Sequence, residues 1–223
     1  MARLAKTHDT AIVSYSTGKD SMIVMDLCAK HFKKVIALHM YLVRDIAYIE
    51  RGLNYARRRW GCEVIQYPHW ALFKYMKDNQ FCNYPEAKFL TEVSLSDVYA
   101  LALRDTGCKL ILTGAKKADG LWRRRWLRTL ETSLVYANVK FPIQEWMKLD
   151  VTAYMKTNAI PMPALSASAK SGVSGIGLNS ESILWMNDTQ PDDYDRMTRV
   201  FPFIGAVVAR REFYGIGKRF SNG

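Results

Sequence analysis

Apolar and polar positions alternate along the chain in blocks that are typical of an α/β protein. Short apolar runs predict strands at residues 10–13, 34–41, 63–67 and 109–112. Apolar residues spaced three or four apart predict helices at residues 21–32, 46–60, 94–106 and 148–158. Gly61 and Gly107 mark the ends of the second and third of these helices. This alternation indicates a doubly wound parallel sheet with helices on both faces.

The other segments have weaker patterns. Residues 68–91 are aromatic without a clear period, and we expect an irregular segment that covers one sheet edge. Residues 164–180 are rich in Ser and Gly and are expected to be mobile. Helical stretches at 180–187 and 191–200 and an apolar run at 203–208 predict an irregular α-helical C-terminal extension. We therefore expect an α/β domain at residues 1–165, with a Gly/Ser-rich loop and extension at 166–223 packed on it.

Composition narrows the class of protein. The chain has 223 residues, of which 49% are hydrophobic, and this suffices for one packed domain. Its apolar runs are shorter than the ~20 residues that cross a bilayer, and its first residues lack the apolar core of a signal peptide. We expect a soluble protein that does not bind membranes. The formal charge of +11 favours nucleotide, nucleic-acid or acidic protein partners, or else a generally basic surface.

The cysteines do not indicate a metal site. The chain has four, Cys28, Cys62, Cys82 and Cys108, and they form no CxxC pair. This spacing indicates neither a zinc site nor an iron–sulfur cluster. We expect buried free thiols.

The most informative segment follows the first strand. It consists of Ser14, Tyr15, Ser16, Thr17, Gly18, Lys19, Asp20 and Ser21. A strand, a tight polar turn and a helix together aim backbone N–H groups at a phosphate. Gly18 permits close backbone approach or a positive φ, and Asp20 can orient the loop or hold a metal ion. The spacing is not that of a Walker loop. The alternative is an ordinary Ser/Gly turn capped by Asp20.

A second polar turn follows the strand predicted at 109–112. It contains Gly114, Lys116 and Lys117, and the basic-aromatic stretch at 122–126 comes next. Parallel strands bring their carboxyl ends to one edge, so we expect this turn to meet the 14–21 loop there. Its basic side chains can then reach anionic groups held by the first loop. The alternative is the solvated start of a basic helix.

These segments resemble those of a known superfamily. The 14–21 loop is similar to the S-x-G-x-D-S pyrophosphate loop (PP-loop) of the N-type ATP pyrophosphatases, which include the phosphoadenylyl-sulfate (PAPS) reductases. The 113–119 turn resembles their T-G-x-R or G-A-R-R turn, with Lys116 and Lys117 at the basic positions and one of residues 123–125 as the distal Arg. Residues 141–163 resemble their F-P-[IL]-x-x-W…I-P…P segment. The tail looks like that of bacteriophage and mobile-element proteins labelled PAPS reductase family.

The chain also departs from this superfamily. Many relatives carry H-x-D-T after the second strand, where this chain has His39 followed by Met40, Tyr41 and Leu42. We expect His39 to be a buried or edge histidine rather than a base. No cysteine follows Cys108, so the C-terminal nucleophile of the reductases is missing. Thiol-dependent PAPS reduction is therefore not expected.

The resemblance implies an adenine nucleotide alpha hydrolase-like fold that binds ATP or a related adenine nucleotide with Mg²⁺. The implied reaction is α/β-phosphate cleavage, in which a transferase adenylylates an acceptor and releases pyrophosphate. The implied catalytic residues are Asp20, Lys116 and Arg123, with Asp20 also as the metal ligand. The implied nucleotide-binding residues are Ser14, Ser16, Thr17, Gly18, Lys19, Asp20, Ser21, Gly114, Lys116 and Lys117.

A second hypothesis stays open beside the enzyme. The fold would then serve as a non-catalytic binding or structural module, on nucleic acid or within a viral particle. The expected location is the cytoplasm, which for a phage-encoded protein means the host cytoplasm or the virion. The sequence leaves the acceptor and the oligomeric state open.

Overall fold

The centre of the molecule is a parallel sheet. The computed structural model describes residues 1–133, 136–168, 177–215 and 219–220, and within them the sheet has five strands. In chain order these are β1 (Thr10–Ser14), β2 (Lys34–Tyr41), β3 (Glu63–Pro68), β4 (Ile111–Leu112) and β5 (Val139–Lys140). All neighbouring pairs are parallel, and their spatial order is β3-β2-β1-β4-β5. The predicted parallel sheet is confirmed.

The helices are numbered in chain order. They are α1 (Ala2–Ala5), α2 (Lys19–Ala29), α3 (Ala47–Trp60), α4 (Trp70–Lys77), α5 (Leu95–Thr106), α6 (Leu121–Thr132), α7 (Lys148–Thr157), α8 (Ala164–Ser168), α9 (Ser180–Thr189), α10 (Pro191–Val200) and α11 (Gly205–Tyr214). Short 3₁₀ turns lie at Pro85–Phe89, Lys117–Asp119 and Pro202–Ile204. Among the described helices, none has both the length and the apolar character that crossing a membrane requires.

Helices cover both faces of the sheet, as the pattern predicts. Successive strand residues point to opposite faces. Ala11 and Val13 of β1 therefore belong to one buried cluster, which includes residues of α2 and α3. Ile12 belongs to a second cluster together with Tyr99 and Ala102 of α5. The doubly wound architecture is confirmed by these two cores.

Two expected boundaries have simple local causes. Gly61 ends α3 with φ 60°, and Gly107 ends α5 with φ 69°. This left-handed conformation suits glycine, which has no Cβ to clash. At its other end, α5 begins with a capping box, because the side chain of Ser94 accepts from the Asp97 N–H while that of Asp97 accepts from the Ser94 N–H.

Three sequence-based expectations about segments need correction. Residues 68–91 are not irregular throughout, because they contain α4 and a 3₁₀ turn. His69 caps α4 by accepting from the Ala71 N–H at 3.1 Å, and histidine is a weak start signal. The strand expected at 109–112 is only Ile111–Leu112, and the two-residue β5 beside it was not predicted. The segment expected to be mobile begins with α8, while residues 169–176 lie outside the described residues.

The C-terminal helices are regular and share the main core. Trp185, Met197 and Phe201 are buried in the same cluster as Val13. Asp193 of α10 is 2% exposed and accepts from the backbone N–H groups of Ala47 and Tyr48, at 2.6 and 2.8 Å. These donors open α3 and have no partner within the helix. The extension thus packs on the α/β domain, while the boundary at residue 165 stays a prediction.

We predict that Asp193→Ala lowers the free energy of unfolding by about 1–3 kcal/mol, because two backbone N–H groups at the start of α3 lose their buried acceptor. Urea unfolding followed by circular dichroism measures the change. Asp192→Ala is the matched control, since Asp192 lies in the same first turn of α10 and is exposed. Equal losses in both variants would show that the contact to α3 contributes nothing.

Candidate functional site

The 14–21 loop joins the end of β1 to the start of α2. Gly18 is the N-cap residue and has an extended backbone, with φ −81°. The positive φ falls instead on Thr17, at 61°. A β-branched residue rarely adopts this conformation, which costs about 1–3 kcal/mol. Of the two roles that Gly18 permits, close backbone approach remains, while the positive φ and the strain of the loop lie at Thr17.

The start of α2 has free hydrogen-bonding capacity. No side chain caps it, and the N–H groups of residues 19–21 have no acceptor within the helix. The Ser21 hydroxyl donates to the Gly18 carbonyl at 2.8 Å, whereas Ser16 makes only long contacts of 3.3 Å to Ser21 Oγ and 3.4 Å to the Gly18 N–H. Thr17 Oγ1 is buried without a hydrogen-bond partner in the described residues. These groups together form an unsatisfied, electropositive loop.

A buried ion pair connects this loop to the turn after β4. Lys116 Nζ lies 2.7 Å from Asp20 Oδ1, and the two side chains are 4% and 11% exposed. Lys116 Nζ also lies 3.2 Å from Asp119 Oδ1, and Lys19 Nζ lies 3.5 Å from Asp20 Oδ2. The structure therefore brings the two predicted segments together at one edge of the sheet. In this arrangement Lys116 faces a carboxylate rather than open solvent.

Two glycines allow the close packing around the loop. A Cβ on Gly114 would lie 2.9 Å from the backbone carbonyl carbon of Asp20. A Cβ on Gly52 of α3 would lie 2.9 Å from both Cβ and Cγ2 of Thr17. Gly114 was among the predicted residues, but Gly52 was not. An isolated glycine inside a helical pattern was the signal that could have identified Gly52.

Other predicted residues are engaged elsewhere. Lys117 forms an ion pair with Glu145 and donates its backbone N–H to the Gln144 carbonyl. The guanidinium of Arg123 lies over the Trp126 ring, 5.0 Å from its centroid. Ser14 lies at the end of β1, where it hydrogen-bonds with the Tyr99 hydroxyl on the other face of the sheet. Of the basic groups predicted outside the loop, Lys116 is the one with a described ion pair to it.

A cavity of about 130 Å³ opens beside the loop, at the carboxyl ends of β1 and β2. Its lining is about equally polar and apolar, and the apolar part includes Tyr15, Ile49 and Met197 of the C-terminal extension. Its polar lining comes from Ser14, Ser16, His39 and His69. A cavity of mixed lining that opens next to a polar loop suits a ligand with a flat apolar part and an anionic part.

Both histidines of this cavity favour the neutral form. Burial lowers the pKa of His39, whose Nδ1–H donates to the Tyr15 carbonyl at 3.0 Å. Burial likewise lowers the pKa of His69 from 6.5 to about 4. The expectation that His39 is a buried histidine is confirmed, since it is 4% exposed. Neither ring carries a positive charge at neutral pH.

The four cysteines are free and buried, as expected. Burial raises the pKa of the Cys28, Cys62 and Cys82 thiols. A raised pKa keeps a thiol protonated and unreactive at neutral pH. Within the described residues, no three His, Cys, Asp or Glu side chains cluster as metal ligands.

The site as a whole is a strand–loop–helix turn at a topological switch point, because β1 lies between β2 and β4. The phosphoadenosine phosphosulfate reductase domain profile matches residues 10–207. The chain therefore belongs to this family, which is named for an adenine nucleotide. A comparison with curated proteins gave no match.

A comparison with solved structures found the U34-tRNA thiolase NcsA from Methanococcus maripaludis with its [4Fe-4S] cluster. The two chains share 12% sequence identity, with a TM-score of 0.49. The match covers 100% of this chain and 89% of the thiolase. A similarity at this level carries no information about the reaction.

We predict that Gly52→Ala lowers the free energy of unfolding by about 1–2 kcal/mol, because the added methyl group meets Thr17. Helix propensity alone would give the opposite sign, a gain of about 1 kcal/mol. Thr17→Gly removes both atoms of the clash, so Gly52→Ala should become stabilising in that background. Urea unfolding of the four proteins of this double-mutant cycle measures the coupling. The same effect of Gly52→Ala in both backgrounds would contradict the packing described.

We predict that acid destabilises the protein partly through His69. The native state keeps His69 neutral down to about pH 4, whereas an unfolded histidine binds a proton near pH 6.5. The contribution of His69 to the free energy of unfolding is therefore fully present above pH 6.5. It is lost as the pH falls from 6.5 to 4, and the loss is up to about 3 kcal/mol.

His69→Asn is the informative variant for this prediction, because Asn can cap α4 without titrating. Urea unfolding at several pH values should show a smaller loss for His69→Asn than for the parent. Parallel losses in the two proteins would mean that His69 does not titrate as described.

Proposed function

We propose that the 14–21 loop binds the phosphates of ATP or a related adenine nucleotide. The observation that carries this proposal is the uncapped start of α2 at the switch point, directly after the strained Thr17. Strain and unsatisfied donors persist where a ligand uses them. Membership of the family supports an adenine nucleotide as the ligand.

Each part of the site then has a role. The N–H groups of residues 19–21 and the hydroxyls of Ser16 and Thr17 donate to phosphate oxygens, while the Ser21 hydroxyl would have to leave the Gly18 carbonyl to do so. Lys19 adds a nearby positive charge. Gly18 keeps the approach to the loop free of a side chain, and Gly114 lets the turn after β4 pack against Asp20. The cavity beside Tyr15 and His39 takes the nucleoside, since it opens at the same edge.

We propose that Lys116 is the catalytic cation. Its ammonium group is buried against Asp20 and lies at the edge of the phosphate site. When phosphate binds, the group can share its charge between Asp20 and a phosphate oxygen. Asp20 in turn keeps Lys116 oriented. Arg123 would have to leave the ring of Trp126 to assist, and Lys117 would have to leave Glu145.

The proposed reaction is cleavage between the α- and β-phosphates. A nucleophilic acceptor forms a bond to the α-phosphorus, the bond to the bridging oxygen breaks, and pyrophosphate leaves with that electron pair. The protein contributes positioning and charge stabilisation rather than a covalent intermediate. This agrees with the cysteines, which are all buried, and with the raised thiol pKa of Cys28, Cys62 and Cys82.

Mg²⁺ enters this proposal as part of the substrate, MgATP. Mg²⁺ commonly takes one or two carboxylates together with substrate phosphates as ligands. Asp20 is the carboxylate of the loop, and Lys116 and Lys19 already lie beside it. The site therefore fits a cation that arrives with the triphosphate and shares Asp20 with the lysines.

A second candidate function is a binding module without turnover. The pairing of Asp20 with Lys116 favours it, because each charge neutralises the other in the described structure. Analysis of the products of MgATP distinguishes the two candidates, with water as the acceptor. AMP and pyrophosphate support the enzyme, whereas ADP and phosphate contradict α/β cleavage. Binding without any product favours the module.

We predict that Gly18→Val weakens ATP binding at least about tenfold, which corresponds to ~1.4 kcal/mol. Valine accepts the extended backbone of Gly18, so the fold remains, but its side chain occupies the approach to the loop. Calorimetric titration with MgATP measures the affinity. Gly205→Val is the control, since a Cβ there meets only the Tyr194 hydroxyl, at 3.8 Å. If Gly18→Val binds ATP as the parent does, the phosphates bind elsewhere.

A further inference from the structure

Helix α6 presents a basic and aromatic face to solvent. We call it the α6 surface and define it by Trp122, Arg124, Arg125 and Arg128, all of which are exposed. Leu127 and Leu130 lie on the opposite side of the helix and are buried. The α6 surface is therefore not the core-facing side of an amphipathic helix.

The aromatic part of this surface is preorganised. Trp122 is 71% exposed and stacks on Trp126, with 6.4 Å between the ring centroids and 11° between the planes. The rings of Phe141 and Trp126 pack edge-on with 6.2 Å between their centroids, and Arg123 lies over the Trp126 ring. Trp126, which Phe141 and Arg123 contact, thus covers the inner face of the Trp122 ring. Its outer face is accessible to another flat ring. Trp122 therefore lies at the surface rather than in the core.

Within the described residues, the charges of this surface have no acidic partners. No arginine of α6 forms an ion pair with a carboxylate in the described part of the chain. Arg124 donates to the Lys117 carbonyl at 3.0 Å, while Arg125 and Arg128 have no described side-chain contact. Trp122 and Arg128 are six residues apart, or about 9 Å along the helix axis. A polyanion can contact such spaced, solvated cations together.

We propose that the α6 surface binds single-stranded nucleic acid. One base stacks on the outer face of Trp122, and successive phosphates contact Arg125 and Arg128. Exposed aromatic rings interleaved with cations are the usual platform for unpaired bases, because every base has a flat π face. A duplex keeps its bases stacked inside, so it offers only its phosphates.

The α6 surface lies next to the candidate nucleotide site, but the proposed binding does not require that site. The 3₁₀ turn Lys117–Asp119 leads directly into α6, and Asp119 contacts Lys116, which pairs with Asp20. A strand bound on α6 therefore lies at the same edge of the molecule as the 14–21 loop. The binding itself needs neither ATP nor Mg²⁺ and goes beyond the nucleotide reaction.

The test is fluorescence anisotropy with labelled DNA and RNA single strands of about 16 nucleotides, and with the matching duplex, in the absence of ATP. We expect the parent to bind both single strands at low salt, and more tightly than the duplex. Trp122→Ala should weaken binding by about 5- to 100-fold, and Trp122→Phe should restore most of the loss. Arg125→Glu with Arg128→Glu should weaken binding and lower the log–log salt slope by about 0.7 per lost contact.

Matched controls lie elsewhere on the surface. Phe89→Ala removes an exposed aromatic ring, and Arg58→Glu reverses an exposed charge on α3. Both should bind as the parent does. ATP titration of the Trp122 and Arg variants should give the parent affinity, which separates this proposal from failure of the nucleotide site.

Three outcomes would overturn the proposal. The parent could fail to bind any strand at low salt, or it could bind the duplex as tightly as single strands with no effect of Trp122→Ala. Sedimentation could also show a dimer that Trp122→Ala dissociates, which would make the α6 surface an interface between copies of this chain.

Discussion

The ion pair between Asp20 and Lys116 is the contact on which the candidate site depends. A buried charge without a partner is costly, and removing one member of such a pair typically costs about 3–5 kcal/mol. The two side chains come from segments almost a hundred residues apart, after β1 and after β4. Their pairing fixes the loop that opens α2 against the turn that leads to α6. Gly114 permits this approach because a side chain there would collide with the backbone of Asp20.

A second set of contacts supports the loop from the opposite side. Asp193 holds the start of α3 through two backbone N–H groups, and α3 presents Gly52 to Thr17. The left-handed conformation of Thr17 is thus maintained by a helix that the C-terminal extension positions. Met197 of the same extension lines the cavity beside the loop. The extension is therefore part of the structural support of the site as well as of the core.

Much of the fold follows from local signals in the sequence. The apolar runs of β1 and β2, the capping glycines Gly61 and Gly107, and the polar loop before α2 were all recognisable without coordinates. The sequence could not show that Lys116 faces Asp20 rather than solvent, because a pairing between distant segments leaves no local pattern. It also could not place the strain on Thr17, since a glycine stands next to it. The two-residue β5 is too short to have a periodicity.

The most direct test of the phosphate site is an NMR titration of the ¹⁵N-labelled protein with Mg²⁺ and an ATP analogue that cannot be cleaved between its α- and β-phosphates. The proposal predicts that the amide signals of residues 16–21 shift most, since the N–H groups of residues 19–21 would bind the phosphates, with further shifts at residues 114–116. Unchanged loop signals while amides elsewhere respond, or no response at all, would contradict the proposal that this loop is a nucleotide phosphate site.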